Sequence, residues 1–170
     1  MKKILIYLLS IGVFGVASIA NSQTIRIGTE GAYPPWNNLN SAGELEGAEI
    51  DFGNEACKRM GVTCEWVTQD WDGIIPALLQ GKYDIIIAGM SITEERKEKV
   101  NFTTGYMTDG ARFAVLKNSG LANLNIAGMA KVNLNNAGGK EQAAIGQLIA
   151  ALDGKTVCVQ SSTIHQNFLE

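Results

Sequence analysis

A single histidine, only three cysteines and no cluster of basic residues among 170 positions set the first limits on this chain. His165 stands near the C-terminus without an evident catalytic partner, and neither a nucleophile elbow nor a group of metal-ligating residues appears, so neither a metal nor a cofactor is expected. Basic residues are not only unclustered but outnumbered. With Lys2 and Lys3 set aside, 12 face 17 acidic ones, a net of −5, which argues against nucleic acid as the partner. Gly154-Lys155-Thr156 has the look of a phosphate-loop ending, but Ile149 stands where the first glycine belongs and Lys155 leads into a strand, so that reading is rejected. Beyond the first twenty residues no apolar run approaches the roughly 20 residues that span a bilayer.

The start of the chain is richer. Met1-Lys2-Lys3 is cationic, Ile4 to Ala17 is nearly all apolar, and small residues follow at Ser18, Ala20 and Ser22. This layout predicts a secretory signal peptide over residues 1–22, cleaved after Ala20 or Ser22. No cysteine follows until Cys57, so a lipid anchor is not expected there and the mature chain should be soluble. Export permits disulfides. Cys57 and Cys64, in CKRMGVTC, fall at a helix end and a strand start with Gly61 between them. The compartment favours a bridge; two buried thiols are the alternative. Cys158 is expected to be a buried small side chain.

Patterning along the chain alternates. Strands are predicted at Thr24–Gly28, Cys64–Thr68, Tyr83–Ala88 and Arg112–Leu116. Helices are predicted over Ile50–Met60 with Gly61 as stop, from a cap at Asp72 through Leu79, and from a Ser91-Ile92-Thr93-Glu94 capping box to Lys99. Thr29 to Gly47 reads as a loop with a hairpin. Strand–helix alternation predicts an α/β fold with a mostly parallel sheet and ligand sites at strand carboxyl ends. Residues 118–153 change texture: Asn118 to Gly139 reads as a crossing segment or insertion, and Glu141–Leu152 as a helix. A strand at Thr156–Gln160 and a helix from Thr163 then open a new α/β segment just before Glu170, which reads as an N-terminal portion of a longer fold.

Candidate binding residues gather after the strands. Glu30 and Tyr33 follow the first, Trp71 the second, and Ala88-Gly89-Met90-Ser91 the third, with Arg96 one turn into the next helix. Ser162 and Thr163 follow the last. Together they suit a zwitterion. Arg96 offers a fork to a carboxylate, Tyr33 and Trp71 offer flat faces for an aliphatic stem or guanidinium, and Glu30 suits a distal cation. Taken singly, Arg96 is an ordinary solvated helix residue, the aromatics are core or rim residues, and Ser91 is an N-cap.

The stretches GTEGAYPPW, AEIDFGNEACKRM, WDGIIPALLQGKYDIIIAGMSITEERKEKVNFT and DGKTVCVQSST resemble the extracellular solute-binding proteins of family 3, above all the group for lysine, arginine, ornithine and histidine. The resemblance implies a type II periplasmic binding fold, two α/β lobes around a cleft, with lobe one over residues 23–117 and an incomplete lobe two over 154–170. It implies that Arg96 holds the ligand α-carboxylate, that Ser91 adds a hydroxyl and an amide, that Tyr33 and Trp71 stack on the ligand, and that Glu30 meets a basic side chain. Ser162 and Thr163 match the second-lobe pair, and Cys57 and Cys64 match a disulfide of the basic amino-acid binders.

Ala88 and Gly89 depart from the serines that many such binders carry. With the segment Asn118 to Gly139, they resemble relatives that take arginine or bulkier opines, the smaller residues enlarging the pocket. The acidic residue that holds the α-amino group in the family would lie beyond Glu170. The implied function is capture of an amino acid or opine in the periplasm for the membrane permease of an ABC importer, by a monomer. Two alternatives stand beside it: a receptor's sensor domain, and an exported dehydratase-like enzyme on the same fold.

Overall fold

A computed structural model describes residues 23–124, 126 and 138–170. The expected signal peptide and most of the expected insertion lie outside the described residues. Those described divide into two compact units, one ending at Gly89 and the other beginning at Met90.

The first unit is built on a parallel sheet. Its central strand, β1 (Thr24–Thr29), carries Ile27 and Thr29 with no exposed surface. The antiparallel strands β2 (Ala32–Tyr33), β3 (Asn37–Leu39) and β4 (Leu45–Glu46) follow as the expected hairpin, extended by one strand. Helix α1 (Ala48–Met60) then returns the chain to β5 (Thr63–Thr68), which pairs with β1 in parallel from Thr24↔Thr63 to Thr29↔Thr68. A 3-10 turn (Trp71–Gly73) and helix α2 (Ile74–Leu79) lead to β6 (Ile85–Ile86), on the other side of β1. The sheet order is β5-β1-β6, the alternating α/β arrangement that the sequence predicts.

Local chemistry explains these elements. Helix α1 has Glu49 and Asp51 in its first turn and Lys58 and Arg59 in its last, matching its dipole, and stops at Gly61 with φ 68°, where a side chain would be strained. Its inner face presents Ile50, Gly53 and Cys57. At Gly53 a β-carbon would stand 2.6 Å from the Trp66 ring, so the small residue is what lets α1 close on β5. Cys57 and Cys64 are joined, with Cα atoms 6.1 Å apart, as the resemblance implies. Beneath β1 the Tyr83 ring packs where a side chain on Gly28 would be, 2.5 Å from the β-carbon position, and its hydroxyl donates to the Ile74 carbonyl. Burial raises the Tyr83 pKa.

A second tie fixes β6 against β1. The Arg26 guanidinium donates twice to the Asp84 carboxylate, at 2.7 and 3.2 Å, and once each to the carbonyls of Gly81 and Lys82. The backbones reinforce it, Arg26 N–H donating to Asp84 Oδ2 and Asp84 N–H to the Arg26 carbonyl.

Several boundaries differ from expectation. Asp72 does not cap α2: the chain enters through the 3-10 turn, leaving Gly73 at the cap with no side-chain bond. Pro76 falls in the helix's first turn, where its missing N–H has no intrahelical acceptor to lose. The third strand is shorter than Tyr83–Ala88 because its bonds to β1 run only from Asp84 N–H to Ile87 N–H.

The second unit contains α3 (Glu94–Lys97), α4 (Gly139–Leu152) and α5 (Ile164–Leu169). Helix α3 is capped by Thr93, whose Oγ1 accepts from Arg96 N–H, so the expected cap at Ser91 is displaced by two residues. Thr93 is extended (φ −129°, ψ 155°), which brings its hydroxyl to that amide. The expected strands Arg112–Leu116 and Thr156–Gln160 form no ladder among the described residues, and without a ladder an apolar stretch is not a strand. Cys158 is accordingly exposed, against the expectation of burial.

Candidate functional site

The carboxyl edge of the parallel sheet organises the candidates in the first unit. Thr29 is paired with Thr68, and the Gln69 amide donates to the Thr29 carbonyl at 2.9 Å, so Glu30 and Trp71 leave the sheet from adjacent strand ends. Ile87 N–H donates to the Gly28 carbonyl at 3.0 Å, which brings Ala88 and Gly89 off the same edge. That edge of a doubly wound sheet is where ligands bind.

Tyr33 and Gly89 meet directly. A β-carbon on Gly89 would stand 3.0 Å from Cε1 of Tyr33, and Gly89 has φ 58°, a conformation costly for other residues. Thus the space of the absent side chain is taken by the Tyr33 ring. Ala88 is buried, whereas Glu30 and Trp71 are half-buried.

Behind this pair lies a network that the sequence reading missed. Glu49, 2% exposed, accepts the Gly89 N–H on Oε1 at 2.6 Å and the Asn37 side-chain amide on Oε2 at 2.7 Å. Asn37 in turn accepts the Gly31 N–H at 2.8 Å. One signal was present: Glu49 shares the inner stripe of α1 with Ile50, Gly53 and Cys57, and an acid there needs donors.

In the second unit Arg96 reaches out of its short helix. One guanidinium nitrogen donates to the Ser91 carbonyl at 2.8 Å and another to the Ser162 carbonyl at 3.1 Å. Desolvation holds the Arg96 pKa below its ordinary value, with Glu95 acting in the opposite sense. Ser162 has φ 58°, the left-handed region, and its amide donates to Gln166 Oε1. Thr163 is nearly buried; its hydroxyl donates to the Gln160 carbonyl and accepts from Gln166 N–H, capping α5. The structure therefore brings Ser91, Arg96 and Ser162 together, while Thr163 takes a capping role. Met90 is half-buried. Among the described residues no His, Cys, Asp and Glu group suited to a metal occurs, and no helix is long and apolar enough to cross a membrane.

The family of bacterial extracellular solute-binding proteins, family 3, matches over residues 25–160. An octopine-binding periplasmic protein of Rhizobium meliloti is 45% identical over 151 residues, covering 89% of this chain and 51% of that protein. An L-arginine-binding protein of Pseudomonas aeruginosa is 42% identical over 122 residues, 71% of this chain and 47% of that one. The chain thus spans about half the length of the curated relatives it matches. Among solved structures, a periplasmic His/Glu/Gln/Arg/opine family-binding protein from Silicibacter pomeroyi, in complex with lysine, is 61% identical over 49% of this chain and 38% of that one, with a TM-score of 0.48.

Proposed function

Because the chain belongs to the bacterial extracellular solute-binding proteins of family 3, we propose that it captures a basic amino acid or an arginine-derived opine for an ABC importer. With the family goes the type II periplasmic binding fold. The observation that carries the ligand class is the 45% identity over 89% of the chain to a protein named for octopine, followed by one named for arginine. In this reading residues 1–22 are a signal peptide and the mature protein works in the periplasm as a monomer that docks on a permease, without catalysis.

Each side chain has a role that its chemistry suits. Arg96 takes the α-carboxylate, aided by Ser91 and Ser162, and the desolvation of its guanidinium strengthens such a pair. Tyr33 and Trp71 flank the ligand's stem, Glu30 takes the distal cation, and Ala88, Gly89, Met90 and Thr163 shape the surroundings. Calorimetric titration of the full chain with arginine, octopine, glutamine and glutamate tests the reading. Arginine or octopine should bind and glutamate should not. Tight glutamate binding with no response to arginine would overturn the basic-ligand assignment.

A further inference from the structure

We propose that Glu49 is a positioning residue, which locks the Gly89 turn and the Gly31–Tyr33 segment into one preorganised surface without touching ligand. This role rests on the reading above that Tyr33 and Gly89 belong to the ligand site. A line of bonds carries it: Gly89 N–H to Glu49, Asn37 amide to Glu49, and Gly31 N–H to Asn37, at 2.6, 2.7 and 2.8 Å. Glu49 and Asn37 are both essentially inaccessible, at 2% and 0% exposure. Gly31 and Gly89 both hold left-handed φ angles, 73° and 58°, which glycine enters and leaves freely, so it is the bonds to their amides that hold these two turns in one conformation. One carboxylate therefore fixes the turn after β6, and through β3 the turn after β1, with the Tyr33 ring packed on Gly89 between them. A ligand meeting this surface need not order it, and avoided ordering appears as affinity.

The polarity of the network gives a specific test. Glu49→Gln keeps the shape but offers one acceptor to two donors, so a buried donor is left facing an NH2 group. Asn37→Asp instead sets two carboxylates against each other. The double substitution N37D/E49Q restores these three bonds with the middle one reversed. The side-chain amide introduced at position 49 donates to one oxygen of the carboxylate introduced at position 37, whose other oxygen accepts Gly31 N–H. The amide oxygen at position 49 then accepts Gly89 N–H.

In the full chain, E49Q should weaken arginine binding roughly tenfold or more, N37D should weaken it further, and the double variant should recover most of the loss. Hydrogen exchange at the Gly89 amide, followed by NMR without ligand, should quicken in E49Q and slow again in the double variant. Unchanged affinity in E49Q, a lowered melting temperature with unchanged affinity, or a double variant no better than E49Q would each overturn the proposal. If E49Q does not fold, the double variant still decides, since it folds and binds only if the reversed network replaces the native one. Wild-type protein that binds neither arginine nor octopine would refute the proposed function, and the Gly89 exchange rates would still decide the role of Glu49.

Discussion

Arg96 and Glu30 differ in what a ligand would ask of them. A carboxylate is common to all amino acids, so its partner should matter for every ligand; a distal cation belongs to only some. Arg96→Ala is therefore expected to remove binding of arginine and glutamine alike, at about 2–5 kcal/mol, because it leaves a desolvated carboxylate unpaired. Glu30→Gln should weaken arginine, lysine or octopine and spare glutamine. Parallel calorimetric titrations of the two variants would show this, and equal losses for both ligands in E30Q would remove Glu30 from the side-chain role. At this scale the sequence marked Arg96, Tyr33 and Trp71 as candidates only through their joint placement after strand ends, a fork beside two flat faces. Glu49 showed only as an acid on the apolar stripe of α1, and Asn37 not at all. Their partners are backbone amides at Gly31 and Gly89, brought close only by folding, and no spacing rule links position 49 to 89.

Elements are held by two different devices, and each gives its own prediction. The Cys57–Cys64 bridge ties the end of α1 to the start of β5 across a separation of 7 residues. Closing so short a loop stabilises by about 2–3 kcal/mol in the chain-entropy account, so a reduced protein should show a correspondingly lower urea midpoint. Because Cys158 is exposed, one thiol should react with a disulfide reagent in the native protein, before any denaturant is added. Three reactive thiols under denaturing, non-reducing conditions would exclude the bridge.

The Arg26–Asp84 tie acts through charge. Arg26, first through its side-chain hydrogen bonds and then through its backbone N–H, holds the Asp84 carboxyl below its ordinary pKa. A carboxyl with a folded pKa below its unfolded one contributes stability above the unfolded value, about 3.9, and loses it as pH falls through the folded value. The pair is well exposed, so solvent keeps the contribution modest. Asp84→Asn should accordingly lower the urea midpoint near neutral pH and flatten its fall between about pH 5 and pH 2. A slope equal to that of the wild type would mean that other carboxyls govern acid unfolding.

On the scale of the whole molecule, legibility followed the range of the interactions. β1, β5, α1 and α4 were readable because alternation, an apolar stripe or a glycine stop is written within a dozen residues. The apolar stretches at 112–116 and 156–160 carry the same alternation, yet a strand also requires a neighbour, and none pairs with them among the described residues. Burial divides the same way. Ile27, Ile50, Cys57, Ile74, Ala77, Tyr83 and Ala88 form the core of the first unit, whereas Ala144 is the buried apolar residue of the second among those described. Local stability tracks buried apolar contact and sheltered hydrogen bonds. Among the described residues, amides of β1, bonded to strands on both sides, should therefore exchange slowest, those of α1 and β5 next, and those of residues 103–118 fastest. Hydrogen exchange read by mass spectrometry would order them. Protection in α4 equal to that in β1 would show that the second unit draws stability from more than its own buried side chains.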